Sequence, residues 1–160
     1  MMSQVFLGLG SNIGDKEKYI CEALSLISRF GTVKKISHLY LTEPVGGLKQ
    51  QWFLNCAVAI ETSIDPETLL STLKSIERKL GRKKTIKNGP RCIDIDILFY
   101  ADLQVKTNDL VIPHPLLQDR LFVLQPLMDL DPLFIHPVLK KSIQELYQSR
   151  SWVEKVQRYK

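Results

Sequence analysis

Asp94 and Asp96 interrupt an otherwise aliphatic run, GPRCIDIDILFY at residues 89–100, and Arg91 precedes them by three positions. Side chains alternate between the faces of a strand. Ile93, Ile95 and Ile97 would therefore face a core, and the two aspartates the opposite side, roughly 6–7 Å apart at Cα. Carboxylates that close raise each other's pKa, and a hard divalent cation between them removes the repulsion. Mg²⁺ is commonly held by one or two carboxylates, with water and phosphate oxygens completing its shell. Just upstream, Arg78, Lys79, Arg82, Lys83, Lys84, Lys87 and Arg91 crowd one stretch of chain. Cation, arginine and lysine together point to a nucleoside triphosphate. Two plainer readings stand beside this one: a half-exposed strand with its aspartates in water, or salt bridges between the aspartates and the neighbouring cations. Asp is poorly suited to strands, which favours a site.

Three further groups carry candidate chemistry. GLGSNIGD at 8–15 has glycines spaced GxGxxxG, not GxGxxG, and no GK[ST] follows. It reads either as a phosphate loop or as a tight strand-to-helix turn in which Ser11 and Asn12 satisfy backbone groups. In PHPLLQDRLF at 113–122, two prolines hold His114 in an extended segment, and Arg120 and Phe122 follow. In QQWFLNCAV, Phe53 and Asn55 share a face if the strand has begun. An aromatic ring plus a carboxamide can bind a flat heterocycle by stacking and paired hydrogen bonds. The plain alternative is a core Phe and a turn Asn. His38 and His136 read as structural.

These residues need a scaffold, and a chain of 160 residues suffices for one domain with one core. No apolar run approaches a membrane span, and MMSQVFLGLG lacks the basic start and long apolar region of a signal peptide. A cytoplasmic protein is expected. Cys21, Cys56 and Cys92 are odd in number and far apart, with no CxxC pair. Lying among apolar residues, all three read as buried free thiols. The net charge of +5 admits nucleic acid or a phosphorylated small molecule; the basic residues of 150–160 read as a solvated face.

The elements follow from periodicity and punctuation. Residues 5–10 read as a strand, and 15–30 as a helix with the stripe Tyr19, Ala23, Leu26 and Phe30, closed by Gly31. A strand spans about 33–42, EPVGG is a turn, and 54–62 is apolar on both faces like a central strand. Asp65 caps a second helix with Pro66 in its first turn, the stripe Leu69, Leu73, Ile76 and Leu80, and Gly81 at its end. Residues 82–91 form a basic loop and 93–100 a strand. Val105 and Leu110–Ile112 form a small hairpin, a short helix covers 120–129, and Ser142 with Glu145 signals a capping box for a last helix. The order βαββαβ predicts a ferredoxin-like α+β sandwich with extra C-terminal helices. Both main helices would lie on one face of its sheet, the other being left for loops or ligands.

Taken together, GLGSNIGD, YLTEPVGG, QQWFLNCAVAIET, IERKLGR, NGPRCIDIDIL and IPHPLLQDRLFVLQPL resemble one family, the 6-hydroxymethyl-7,8-dihydropterin pyrophosphokinases of folate biosynthesis. The resemblance spans nearly the whole chain, 1–160, and its most specific piece is GPRxxDxD with two following aliphatics. It implies a ferredoxin-like fold, ATP as co-substrate and two Mg²⁺ ions. The β,γ-diphosphate of ATP would pass to the pterin's hydroxymethyl oxygen, releasing AMP. By the same resemblance Asp94 and Asp96 are metal ligands, and Arg82, Arg91, His114 and Arg120 lie on the phosphate side, with Lys84 in the same basic loop. Glu77, Ile97 and the Leu110, Val111 and Ile112 backbone lie near the nucleotide. Thr42, Val45 and Asn55 read the pterin edge, Phe53 and Phe122 sandwich its ring, and Asp94 borders it. Ser11 and Asn12 support the site. Asp94 or Asp96 would accept the hydroxyl proton.

The chain departs from the family's pattern twice. Lys84 stands where an arginine is frequent, and Asn88 where a tryptophan is frequent. Lys84 keeps the charge without the planar fork, and weaker loop closure is expected. Small-molecule partners and a monomer are expected, without nucleic acid or membrane. An RNA-recognition domain shares the βαββαβ order, but 54–62 lacks the exposed aromatics such a domain needs. A nucleotide hydrolase would share the aspartates, but has no need of Phe53, Asn55 and Phe122. A catalytically dead relative is disfavoured by the intact aspartates and Arg91.

Overall fold

The computed structural model describes residues 1–45, 49–83 and 89–160. Lys84 and Asn88, the two departures noted above, lie outside the described residues, as do Lys87, Gly46 and Gly47. The elements run β1 (Ser3–Ser11), α1 (Lys16–Ile27), β2 (Thr32–Ile36), β3 (Tyr40–Thr42), β4 (Phe53–Thr62), α2 (Pro66–Lys79) and β5 (Asp94–Tyr100). Then come the short strands β6 (Val105–Lys106) and β7 (Val111–Ile112), a 3-10 turn at Leu117–Asp119, α3 (Leu121–Leu130), α4 (Ile143–Gln148) and β8 (Val156–Arg158). This is a mixed α+β architecture on an antiparallel sheet of order β5-β1-β4-β3-β8, with β2 also on β4. β6 and β7 form the separate hairpin.

Capping chemistry sets the starts of α1, α2 and α4 and the end of α2. The Asp15 side chain accepts from Lys18 N at 3.2 Å, and Asp65 accepts from Thr68 N at 3.1 Å. Gly81 closes α2 at φ 97°, a conformation costly for other residues. Ser142 and Glu145 exchange the reciprocal bonds of a capping box. α1 and α2 bury Ile20, Ile27, Leu69 and Leu73 against Leu7, Leu9, Leu54 and Ile95 of the sheet. A second core on the other face packs Phe6, Leu98 and Phe99 against Leu124 and Leu127 of α3 and Leu146 of α4. The register between β1 and β5 slips between Phe6 and Leu7, so consecutive Leu98 and Phe99 both join this second core while Tyr100 returns to the first.

Several expectations need correction. α1 ends at Ile27, and Phe30 is exposed rather than part of the stripe. Gly31 is not in the left-handed region; it is small because a Cβ there would meet Glu61 O at 2.9 Å. Cys21 is exposed, because the position after the buried Ile20 turns about 100° toward solvent. The strand expected over 33–42 splits into β2 and β3. Ser37 lies between them, its N–H donating to Ala57 O and its Oγ accepting from Ala57 N, so a side chain replaces one rung of the ladder. Residues 150–160 are not only a solvated face, since β8 pairs with β3. The second sheet face is partly roofed by α3 and α4, which confines the open part to one end.

Candidate active site

Sheet register assembles the open part. Across three adjacent strands, Asp94 lies opposite Gly10 and Gly10 opposite Asn55; one step along, Asp96 lies opposite Gly8 and Gly8 opposite Ala57. The two glycines leave a floor without side chains between the aspartates and the carboxamide. A Cβ on Gly10 would collide with Asn55 Oδ1. Over this floor opens a pocket of about 720 Å³, its mouth included, whose walls include Thr42, Val45, Phe53, Asn55, Arg91, Asp94, Asp96, Arg120 and Phe122.

One end of the pocket suits a heterocycle. Asn55 Nδ2 donates to Thr42 Oγ1 at 2.6 Å, and both residues are buried. That bond fixes the amide so that its other groups are presented in a set orientation. Phe53 comes from β4 and Phe122 from the first turn of α3. Each carries a guanidinium over its ring: Arg91 at 5.8 Å from the Phe53 centroid, and Arg120 at 5.4 Å from that of Phe122.

The other end is ionic. Arg82 Nη1 donates to Asp94 Oδ1 at 2.8 Å and pairs with Glu77 Oε1 at 3.0 Å, while Arg91 Nη1 reaches Asp94 Oδ2 at 3.3 Å. The plain salt-bridge reading is thus realised for Asp94. Asp96 differs, since among the described residues no hydrogen bond or ion pair reaches its carboxylate. Burial pushes its pKa up to about 7, and the charges of Asp94 and Glu77 add to the shift. An acid kept from ionising at its own strand position, aimed into a pocket beside a second carboxylate, fits a divalent cation that would supply the missing counter-charge. Among the described residues no three His, Cys, Asp or Glu side chains gather into a metal cluster. Two carboxylates suit Mg²⁺, which takes the rest of its shell from phosphate and water.

Asn12 supports this end, but through the backbone of Arg91. Its N–H donates to Arg91 O at 3.1 Å, and its Oδ1 accepts from Arg91 N at 2.9 Å. Its Nδ2 donates to Gln50 Oε1 and Gln51 O, tying the approach to β4 to the same point. Ser11 is fully buried, and its Oγ has no partner among the described residues. The turn reading of GLGSNIGD holds for Asn12, which satisfies backbone groups of Arg91 and Gln51, but Gly8 and Gly10 lie within β1, and Gly14, at φ 69°, serves the turn.

Arg82 lies outside the pocket lining, as do other expected residues. Glu77 is buried, and its Oε2 accepts from Ile95 N at 2.7 Å. Ile97 is in the core under α1 and α2, on the opposite sheet face. Leu110 and Ile112 are also buried in that core, while Val111 is exposed. His114 Nδ1 accepts from Leu116 N, and its own N–H donates to Leu98 O, which fastens the segment after β7 along β5. Burial pushes the His114 pKa down to about 4, with Arg120 adding to the shift, so the ring is neutral at pH 7. Gly10 and Glu43 also line the pocket and were missed. The i, i+2 spacing of Gly8 and Gly10 in a strand was the available signal for a shared face.

The family model for 7,8-dihydro-6-hydroxymethylpterin-pyrophosphokinase matches residues 6–132. The chain belongs to this family. It is 42% identical over 144 residues to the 2-amino-4-hydroxy-6-hydroxymethyldihydropteridine pyrophosphokinase of Aquifex aeolicus, covering 90% of each chain. It is 44% identical over 135 residues to the folic acid synthesis protein FOL1 of Dictyostelium discoideum, covering 84% of this chain and 20% of that much longer one. The fold matches the crystal structure of Plasmodium falciparum HPPK-DHPS with a TM-score of 0.75 at 20% identity, over 93% of this chain and 45% of the other. Pyrophosphoryl transfer to hydroxymethyldihydropterin, the activity in the family's name, is the activity expected from the sequence. Among the described residues no helix is long and apolar enough to cross a membrane.

Proposed function

We propose that this pocket moves the β,γ-diphosphate of ATP to the hydroxymethyl oxygen of 6-hydroxymethyl-7,8-dihydropterin. The oxygen–Pβ bond forms, the Pα–O–Pβ bridge breaks, AMP leaves, and the hydroxyl proton is released. The observation that carries the reading is the pocket itself: an aromatic and carboxamide end joined across a glycine floor to an end with two carboxylates and Arg91, with Arg82 bonded to Asp94 from outside the lining.

The pterin ring would lie between Phe53 and Phe122, with Asn55, Thr42 and Val45 reading its edge and Asp94 beside its hydroxymethyl arm. Asp94 and Asp96 would hold two Mg²⁺ ions, which neutralise phosphate charge and polarise the transferred group. Arg82 and Arg91, positioned by Asp94, and Arg120 at the pocket wall would bind the phosphates, as would the neutral His114 through its Nε2–H. Phosphoryl-type transfer depends on positioning and charge neutralisation more than on covalent help. Asp94 or Asp96 would accept the hydroxyl proton. The spatial order β5-β1-β4-β3 with α1 and α2 on one face supports the ferredoxin-like reading. We read residues 1–160 as one cytoplasmic, monomeric domain.

The test is a product assay with ATP, Mg²⁺ and the reduced hydroxymethyl-pterin, resolving AMP from ADP. AMP formed only when pterin is present, and lost in Asp96→Ala, is the expected result. ADP, or nucleotide turnover indifferent to pterin, would overturn the reading in favour of an ordinary kinase or hydrolase.

A further inference from the structure

The heterocycle end of the pocket has walls from two layers. Thr42, Phe53 and Asn55 belong to the sheet, whereas Phe122, Val123 and Pro126 belong to α3. Their alignment depends on how α3 sits on the sheet. Most of that packing is apolar, through Leu124, Leu127 and Leu130. Apolar contact sets a distance, but it is non-directional and resists sliding weakly.

A directional contact crosses the same interface. Tyr40 Oη donates to Asp129 Oδ2 at 2.6 Å, and His38 N donates to the same oxygen at 3.1 Å. A hydroxyl-to-carboxylate bond is of the charge-assisted kind, roughly twice as strong as a neutral one. Tyr40 is buried, directly opposite Asn55 in the ladder and two residues before Thr42. Asp129 follows Phe122 by seven residues, about two helical turns, and so shares its face. A carboxylate in the last turn of a helix opposes the macrodipole, so Asp129 sits there at a small cost that its two donors offset. Burial, together with Asp129 itself, holds the Tyr40 hydroxyl well above the usual phenol range, and it remains a donor.

We propose that Tyr40 and Asp129 are positioning residues for the pterin: their bond fixes the register of α3 on β3, and so sets Phe122 against Phe53, Asn55 and Thr42. The inference rests on the reading that the heterocycle binds between these walls. Arg82 follows α2, Arg91 precedes β5 and both aspartates lie on β5, so they are not held through this contact; of the phosphate-side arginines only Arg120, at the start of α3, is, and the effect falls chiefly on the pterin.

The experiment is steady-state kinetics in both substrates on folded variants, checked by circular dichroism at the assay temperature. Tyr40→Phe keeps the ring and removes the hydroxyl. Its KM for pterin should rise about tenfold, while kcat and the KM for ATP stay within about twofold, since a misplacement near 1 Å is costly. Asp129→Ala should match it. Asp129→Asn keeps an acceptor oxygen and should restore most of the pterin affinity. A lowered Tm with unchanged pterin KM would make the pair merely stabilising and overturn the proposal, as would equal loss for both substrates or an Asp129→Asn variant no better than Asp129→Ala. Phe122→Ala separates the two failures. Unchanged pterin KM there overturns the pocket reading, and the clamp with it; raised KM there but not in Tyr40→Phe overturns the clamp alone.

Discussion

Gly10 shows how much a single residue type can decide. Its missing side chain is the space Asn55 Oδ1 occupies, and Asn55 in turn is held by Thr42. Gly10→Ala forces Asn55 off that bond. The expected cost is about 1–3 kcal/mol of stability by urea unfolding, with a pterin KM raised about tenfold, equivalent to about 1.4 kcal/mol of binding. Wild-type kinetics would show that the carboxamide's placement does not matter. The aspartates were legible because alternation along one strand is a local rule; Gly10's task depends on its register with β4, which a sequence does not display. The same holds for Asp94 and Asp96, identical in the one-dimensional pattern. Only the fold shows that Arg82 and Arg91 take the first, while among the described residues no cation pairs with the second.

At the scale of elements, α2 does more than cover the sheet. β5 ends the sheet's strand order, and at this edge Glu77 of α2 accepts the Ile95 N–H while pairing with Arg82. Burial holds the Glu77 carboxyl above its usual range, so the group rests on these partners. Glu77→Ala leaves a buried N–H without an acceptor, and should destabilise the fold by about 1–3 kcal/mol while weakening ATP binding through Arg82. Glu77→Gln keeps an acceptor for Ile95 and should recover most of the stability but less of the ATP affinity. Calorimetry of ATP binding beside urea unfolding separates the two effects. Helix ends were legible, since Asp65, Pro66, Gly81, Ser142 and Glu145 act on their own neighbours. The break between β2 and β3 was not, because Ser37 replaces a rung only by meeting Ala57 from β4. β8 was hidden for the same reason: a basic segment looks solvated until its partner strand is known.

For the molecule as a whole, the buried titrating groups set how stability responds to pH. Asp96, raised to about 7, binds a proton in the folded state where the unfolded chain has already released it. Its contribution is therefore full below about 3.8 and is lost as pH rises through 7. His114, lowered to about 4, acts oppositely: its contribution is present above 6.5 and lost as pH falls through 4. The two oppose one another between those values, so Asp96 acts with little opposition above pH 6.5. Without divalent cation, Tm should fall between pH 6.5 and 8. Added Mg²⁺ should raise Tm more at pH 8 than at pH 5.5, where the proton competes with it. An equal gain at both pH values would mean that the cation does not bind at Asp96.

The pairing of β8 with β3 has a consequence for assembly. Glu43, in the pocket wall, exchanges two hydrogen bonds with Lys155, 112 residues further along the chain, and Tyr40 pairs with Arg158. Closing so long a loop costs entropy that nearby contacts cannot return until the intervening sheet and helices are in place. The wall is thus finished only when β3 and β8 have met. A molecule able to grip the heterocycle is one in which β3 and β8 have paired, and bound pterin counts molecules that have reached that stage.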